Sequence, residues 1–290
     1  MSPFHNVMQN VVKQAAAIEP DDYFREDGIR MCGRCHEPKE QRITWMDDIP
    51  EELLIQLFGP EKKVPAVCKC RQKKLDEQRR EDELREKMTT IMVRRRDCFH
   101  NADDEASTFE VDDQADKKVS DAMRLYADTY AEKMAQNFGL LLYGPVGTGK
   151  TFYAACIANR LLEQGYTVEM TSFTRIVNTI QGMYDGKQAY IDRLARKDLL
   201  IIDDLGVERG SEFMLEQVTG IIDARYKSGK PLIVTTNISL EEIKKPKDLT
   251  YRRMYDRLLE ICHPVKVDGK SRRRAAVMKS YGERNALLGL

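Results

Sequence analysis

Nowhere in the 290 residues does an uninterrupted apolar run approach the roughly 20 that a helix needs to cross a bilayer. The opening stretch, MSPFHNVMQNVVKQ, lacks the long apolar core of a secretory signal, so the expectation is a cytoplasmic protein and no membrane partner. Net charge is also absent: 47 Lys and Arg balance 47 Asp and Glu. Any hold on nucleic acid must therefore come from local patches and not from bulk charge. There is no internal repeat and no low-complexity tract, which excludes solenoid arrays and disordered chains. What is present is 42% hydrophobic residues, enough for a core, beneath a surface served by 32% charged residues. The length suits one large domain or two unequal ones.

Seven cysteines are too many to ignore in a reducing compartment, where structural disulfides are uncommon. Four of them form two tight pairs, Cys32/Cys35 and Cys68/Cys70; Cys98, Cys156 and Cys262 stand apart. Four thiolates can surround one zinc ion in tetrahedral geometry. The first pair has the knuckle spacing, with Gly33 easing the turn, and the second is one residue shorter. His36 is an alternative ligand, but its place next to Cys35 makes the geometry awkward. Four thiolates leave no open position for water, so the expected zinc site is structural and builds a docking surface. A small region with few apolar residues also needs such a staple.

Composition divides the chain. Residues 1–70 hold both cysteine pairs. Residues 71–97 contain no Gly or Pro and are densely charged, with Leu84, Met88, Ile91 and Met92 at helical spacing, so a solvated helix with a short apolar face is expected. Residues 101–121 carry eight acids and two lysines and read as an exposed acidic linker. From Ala122 onward, helical stretches alternate with short β-rich runs at Leu140–Tyr143, Thr167–Met170, Leu199–Asp203 and Leu232–Thr236. That alternation predicts an α/β domain, a parallel sheet flanked by helices. The expected division is 1–70, 71–121 and 122–290.

The strongest signal is GPVGTGKT, Gly144 to Thr151, set between an apolar run and a helical stretch. Strand, glycine-rich loop and helix are the context of a nucleoside triphosphate cradle. Glycines leave room for phosphate oxygens, and successive backbone N–H groups face the anion. The candidate nucleotide-binding residues are Gly144, Pro145, Val146, Gly147, Thr148, Gly149, Lys150, Thr151 and Phe152. Lys150 would reach the β- and γ-phosphates of ATP, and the Thr151 hydroxyl would ligate Mg2+. LLIIDDLG would deliver Asp203 and Asp204 to the carboxyl end of a second strand, where ligands of such sheets bind. Asp203 is placed to hold magnesium, and Asp204 to orient or deprotonate the attacking water. PLIVTTN ends at Asn237, an amide able to hydrogen-bond both water and phosphate.

Taken together, GPVGTGKT, LLIIDDLG, IIDARYKSGKPLIVTTN and RRMYDRLLEICHPVKVDGKSRR resemble the AAA+ ATPases of the DnaC/DnaI helicase-loader group, over roughly residues 122–283. The transposition helper IstB shares much of this module. A cysteine-bearing amino-terminal region before such a module resembles the loader-type proteins of phages and prophages. The resemblance implies a P-loop AAA+ domain preceded by a small zinc-binding domain and a charged helix. It implies that Asn237 senses the γ-phosphate, and that an arginine finger lies in the helix around Tyr251–Glu260. The candidates are Arg252, Arg253 and Arg257, with Arg253 favoured and Arg257 next. A further sensor arginine follows GKS, where Arg273 aligns best among Arg272, Arg273 and Arg274. A finger acting in trans implies a homo-oligomer, formed with ATP or on a partner.

The resemblance further implies channel-facing contact with single-stranded DNA in residues 172–197, which hold Arg175, Lys187, Arg193, Arg196 and Lys197 with Tyr184 and Tyr190. Residues 243–290 add thirteen Lys and Arg against five acids, although some of those arginines already have a role at ATP. The leading expectation is an ATP hydrolase that loads a replicative DNA helicase onto single-stranded DNA. The alternatives are a transposase-helper ATPase acting on duplex DNA, or a zinc-containing adaptor that hydrolyses little ATP.

Overall fold

A computed structural model describes residues 18–42, 50, 52, 55, 60, 63–206, 212–246 and 251–271. The chain divides into two units, Met1–Lys87 and Met88–Leu290.

Among the described residues before the long helix, the first unit has four short strands. Strands β1 (Tyr23–Phe24) and β2 (Arg30–Met31) pair antiparallel, and β3 (Glu40–Arg42) pairs antiparallel with β4 (Lys63–Pro65). The β1–β2 turn uses Gly28 at φ +74°, and the Asp27 carboxylate accepts the Ile29 N–H at 3.1 Å. Among the described residues of this unit, the buried apolar side chains include Ile29, Met31, Cys32 and Cys68. Lys39 and Asp22 are buried together, with a 2.7 Å ion pair.

Helix α1 (Lys69–Cys98) follows, and the division between the units falls within it. Its sequence has no helix breaker, so 30 residues run without interruption. Leu84, Met88 and Met92 of the anticipated apolar face are exposed, and the single buried residue of the helix is Cys98.

The second unit is a five-stranded sheet in the order β6-β7-β8-β5-β9, every neighbouring pair parallel. Its strands are β5 (Gly139–Tyr143), β6 (Val168–Ser172), β7 (Leu199–Leu205), β8 (Leu232–Thr236) and β9 (Cys262–Lys266). Alternation along each strand divides the core in two. Leu140, Leu142, Leu199, Ile201 and Ile233 face helices α3 (Lys117–Asp128), α4 (Tyr130–Ala135) and α5 (Lys150–Gln164), packing on Met123, Tyr126, Ile157 and Leu161. Leu141, Leu200, Ile202, Leu232 and Val234 face the other way. There they meet Phe173 and Ile176 of α6 (Phe173–Gly182), Leu194 of α7 (Lys187–Arg196), Ile221 of α8 (Glu212–Ser228) and Leu258 of α10 (Arg252–Ile261). Short helices α2 (Ala102–Ala106) and α9 (Leu240–Lys244) complete the unit. The result is a three-layer α/β arrangement, a parallel sheet between two layers of helices.

Two features depart from the sequence reading. The edge strand β9 was not anticipated, because CHPVK carries a proline; Pro264 is tolerated since, among the described residues, the strand has a neighbour on one side only. The acidic stretch 101–121, read as an exposed linker, is pinned to the second unit. Phe109 is buried in the core, and the Asn159 amide of α5 donates to the carbonyls of Asp104 at 3.1 Å and Ser107 at 2.8 Å. One aromatic and one buried amide overcome a charge pattern that suggested solvent.

Arg225, on α8 in the IIDARYKSGKP stretch, is fully buried, with no carboxylate on its guanidinium among the described residues. It donates to the carbonyls of Ala195 (2.8 Å), Lys197 (2.6 Å), Asp198 (2.9 Å) and Pro231 (3.0 Å). The planar fork thus satisfies the end of α7 and the entries to β7 and β8 together. Burial draws this guanidinium down to about 10, still cationic at neutral pH.

Candidate functional site

The loop between β5 and α5 is built on three left-handed glycines, Gly144 (φ +148°), Gly147 (φ +84°) and Gly149 (φ +105°). At two of them space as well as torsion demands glycine. A Cβ on Gly144 would lie 2.2 Å from the Val267 carbonyl oxygen, and one on Gly147 would lie 2.3 Å from Ser271 Oγ. Thr148 Oγ1 donates back to the Pro145 carbonyl at 3.0 Å and tightens the turn. Lys150, the first residue of α5, is nearly buried, and its ammonium donates to the carbonyls of Gly144 (3.0 Å) and Pro145 (2.7 Å) and to Asn237 Oδ1 (2.7 Å). Val146 is exposed at the tip, and Phe152 packs against the core.

Strand β7 ends in the acidic pair. Pairing with β8 shifts between Ile202/Val234 and Leu205/Thr236, so β7 carries one extra residue there, a bulge. Asp204 adopts φ +58° at this point and is exposed, whereas Asp203 is half-buried. Thr151 Oγ1 donates to Asp203 at 2.9 Å, and the Thr235 hydroxyl donates to the same carboxylate while accepting the Asp204 N–H at 3.0 Å. Burial pushes the Asp203 carboxyl above its usual range; Thr235 opposes the rise, Asp204 adds to it and Thr151 opposes it. A carboxylate that carries this penalty beside a hydroxyl is a chemically sound seat for a divalent cation. Thr235 was missed by sequence reading. Its signal was the polar TT that ends an otherwise aliphatic strand.

A cleft of about 330 Å³ adjoins the loop, lined by Ala115, Asp116, Thr148, Tyr153 and the stretch Val267–Ser271. It too was missed, because its walls come from segments more than 140 residues apart in sequence, Ala115 and Val267–Ser271, which only folding brings together.

Lys150, Thr151, Asp203 and Asn237 are thus joined by direct hydrogen bonds, with Asp204 on the same bulge. The candidate finger arginines are elsewhere, on α10. Arg257 pairs with Asp223 of α8 and lies over the Tyr226 ring at 5.5 Å. Arg253 reaches the same Asp223 at 3.5 Å but is 70% exposed, and Arg252 makes a 3.9 Å contact with Asp256. Arg273, with Arg272 and Arg274, lies outside the described residues.

The family of IstB-like ATP binding proteins matches residues 72–280, which is most of the chain. The chain belongs to that family. Among relatives of this IstB-like ATP-binding protein, the replicative helicase loader DnaI of Bacillus subtilis is 25% identical over 220 residues, covering 69% of this chain and 66% of DnaI. The replicative helicase loader DnaC of Escherichia coli is 30% identical over 137 residues, 46% of this chain and 55% of DnaC. The chain therefore spans less than two thirds of the length of the curated relatives it matches. A crystal structure of DnaI superposes with a TM-score of 0.51 at 19% identity, over 60% of this chain and 95% of that one, which establishes the shared fold.

The first unit of the protein holds the cysteines. The sulfur atoms of Cys32, Cys35, Cys68 and Cys70 all lie within 4.8 Å of one another, and Cys70 is 3.4 Å from both Cys32 and Cys68. Tetrahedral zinc with sulfur at about 2.3 Å requires sulfur separations of about 3.8 Å, so the set fits zinc. Gly33 is obligatory, since a Cβ there would sit 2.0 Å from the Asp21 carbonyl oxygen. The Cys70 backbone N–H draws the Cys35 thiol down to about 6, whereas burial raises Cys68 and the Cys32 sulfur raises Cys70 to about 12. Cys35 is thus drawn toward its thiolate, and Cys68 and Cys70 need a cation to deprotonate. The alternative ligand His36 turns its Nδ1 to the Tyr23 hydroxyl at 3.2 Å and takes no place in the cluster. Among the described residues no helix is long and apolar enough to cross a membrane.

Proposed function

We propose that this protein is an ATP hydrolase that delivers a replicative helicase to single-stranded DNA. The observation that carries the reading is the hydrogen-bonded set Lys150, Thr151, Asp203 and Asn237 at the glycine loop of an IstB-like ATP-binding protein. The names of two relatives, both replicative helicase loaders, supply the partner.

In this reading the loop N–H groups and Lys150 bind the triphosphate, and the cleft beside Thr148 and Tyr153 receives the base. Thr151 and Asp203 hold magnesium, which supplies charge neutralisation at the phosphates when bound. Asp204 orients the attacking water, and Asn237 contacts the γ-phosphate in exchange for Lys150. A guanidinium of a neighbouring copy completes the charge stabilisation. Arg253 suits that role better than Arg257, because Arg257 is engaged by Asp223 and Tyr226 of its own chain. Arg273 is retained as a second sensor. The four cysteines hold zinc and shape the helicase-docking surface of the first unit. Residues 172–197, with Tyr184 wholly exposed at a loop tip, contact single-stranded DNA.

The test is a pull-down from the native cell with and without ATP. A hexameric replicative helicase recovered with wild type, and lost with Cys32→Ser, supports the reading. Recovery of duplex DNA and a transposase without a helicase overturns it.

A further inference from the structure

Beside the acidic pair lies a cavity of about 250 Å³, with no residue of the glycine loop among the described residues that line it. At about 30 Å³ each, it has room for several water molecules. One wall carries Asp203 and Asp204 with Thr171, Ser172 and Arg175; the other is made by His100, Asn101 and Asp104. These last three belong to the connector that follows α1 directly in the chain, outside the motifs that mark the ATPase.

The connector wall is rigidly built. Cys98 and Phe99 are buried in the core, and Asn159 of α5 grips the Asp104 carbonyl. Asn101 caps α2: its Oδ1 accepts the Asp104 N–H at 2.7 Å, and its Nδ2 donates to the Asp104 carboxylate at 2.6 Å. Asp104 is therefore held in one orientation by a neighbour dedicated to it. On the opposite wall, Thr171 is 6% exposed, and its hydroxyl has no hydrogen-bond partner among the described residues. A buried hydroxyl left in this state points to ordered water. The Asp204 carboxylate is exposed, while its backbone N–H is anchored at the Thr235 hydroxyl.

We propose that the connector His100–Asp104 is a positioning element for ATP hydrolysis. With Thr171 it holds a water cluster against Asp204, and so fixes the carboxylate that orients the attacking water. This rests on the reading of Asp203 and Asp204 as the hydrolytic pair. Its consequence is regulatory: whatever displaces the segment that follows α1 changes the rate of hydrolysis without touching the nucleotide.

The experiment measures turnover with saturating magnesium-ATP, and ATP affinity by titration, in the full chain. Asn101→Ser keeps a helix cap but removes the amide that holds Asp104. Thr171→Val removes the hydroxyl at nearly constant shape. Both should lower kcat about tenfold with ATP affinity unchanged. A kcat within twofold of wild type in either variant overturns the proposal. So does a parallel loss of ATP affinity, which marks a merely structural role. Asp204→Asn is run alongside. If it abolishes turnover while the other two do not, the positioning role alone fails; if it leaves turnover intact, the hydrolytic reading of the acid pair fails with it.

Discussion

Replacing Arg225 by methionine removes the donor that closes one end of the sheet. Four carbonyls lose their guanidinium hydrogen bonds; Asp198 keeps a second donor in the Tyr130 hydroxyl at 2.8 Å, so Ala195, Lys197 and Pro231 are the groups most affected. A buried acceptor deprived of its donor costs about 1–3 kcal/mol. Against the combined loss stands the relief of no longer burying a cation, so the net destabilisation should be about 3–5 kcal/mol. For a unit of this size each kcal/mol moves Tm by about 2–4 °C, which gives a fall of about 6–20 °C. Thermal unfolding followed by circular dichroism reads it directly. Arg225→Lys should recover little, because one ammonium cannot serve carbonyls on three segments at once. A Tm for Arg225→Met within about 2 °C of wild type would show that the buried fork is not what joins α7, β7 and β8.

Other outcomes follow from the same geometry. Cys32→Ser or Cys68→Ser should lower zinc from about one ion per chain to substoichiometric levels by atomic absorption; full zinc content in both would reject this ligand set. Arg253→Ala should leave ATP affinity unchanged and abolish partner-stimulated hydrolysis, whereas Arg257→Ala should instead lower thermal stability, since Arg257 is tied to Asp223 and Tyr226. The reverse pattern would transfer the finger to Arg257. Thr235→Val should weaken magnesium-dependent ATP binding by about tenfold, because Asp203 loses one of two hydroxyl donors and Asp204 its backbone acceptor.

Much of the fold was legible because the module writes it locally. Aliphatic runs of four or five residues between helical stretches gave four of the five strands of the second unit's sheet within a few residues, and the loop's glycines announced the turn between β5 and α5. β9 escaped because Pro264 argues against a strand unless the edge position is known. At the site, the residues with distinctive motifs were visible and their supports were not. Thr235 reads as one more β-branched strand residue until its hydroxyl is seen between Asp203 and the Asp204 N–H. Arg225 reads as a surface charge, and its burial depends on carbonyls from segments about thirty residues upstream. Asn101 and Asp104 lay in an acidic stretch whose composition spoke for solvent, while their placement is decided by Asn159 and Phe109, single residues that no periodicity marks.

The central claim is that triphosphate and magnesium bind where the Gly144–Thr151 loop meets Asp203. Isothermal titration of the full chain with ATP, with and without magnesium, tests it most directly when wild type is run beside Lys150→Ala and Asp203→Asn. Saturable binding at about one ATP per chain is predicted for wild type, with no detectable binding to Lys150→Ala and loss of the magnesium dependence in Asp203→Asn. No heat with wild type, or undiminished binding by Lys150→Ala, would contradict it.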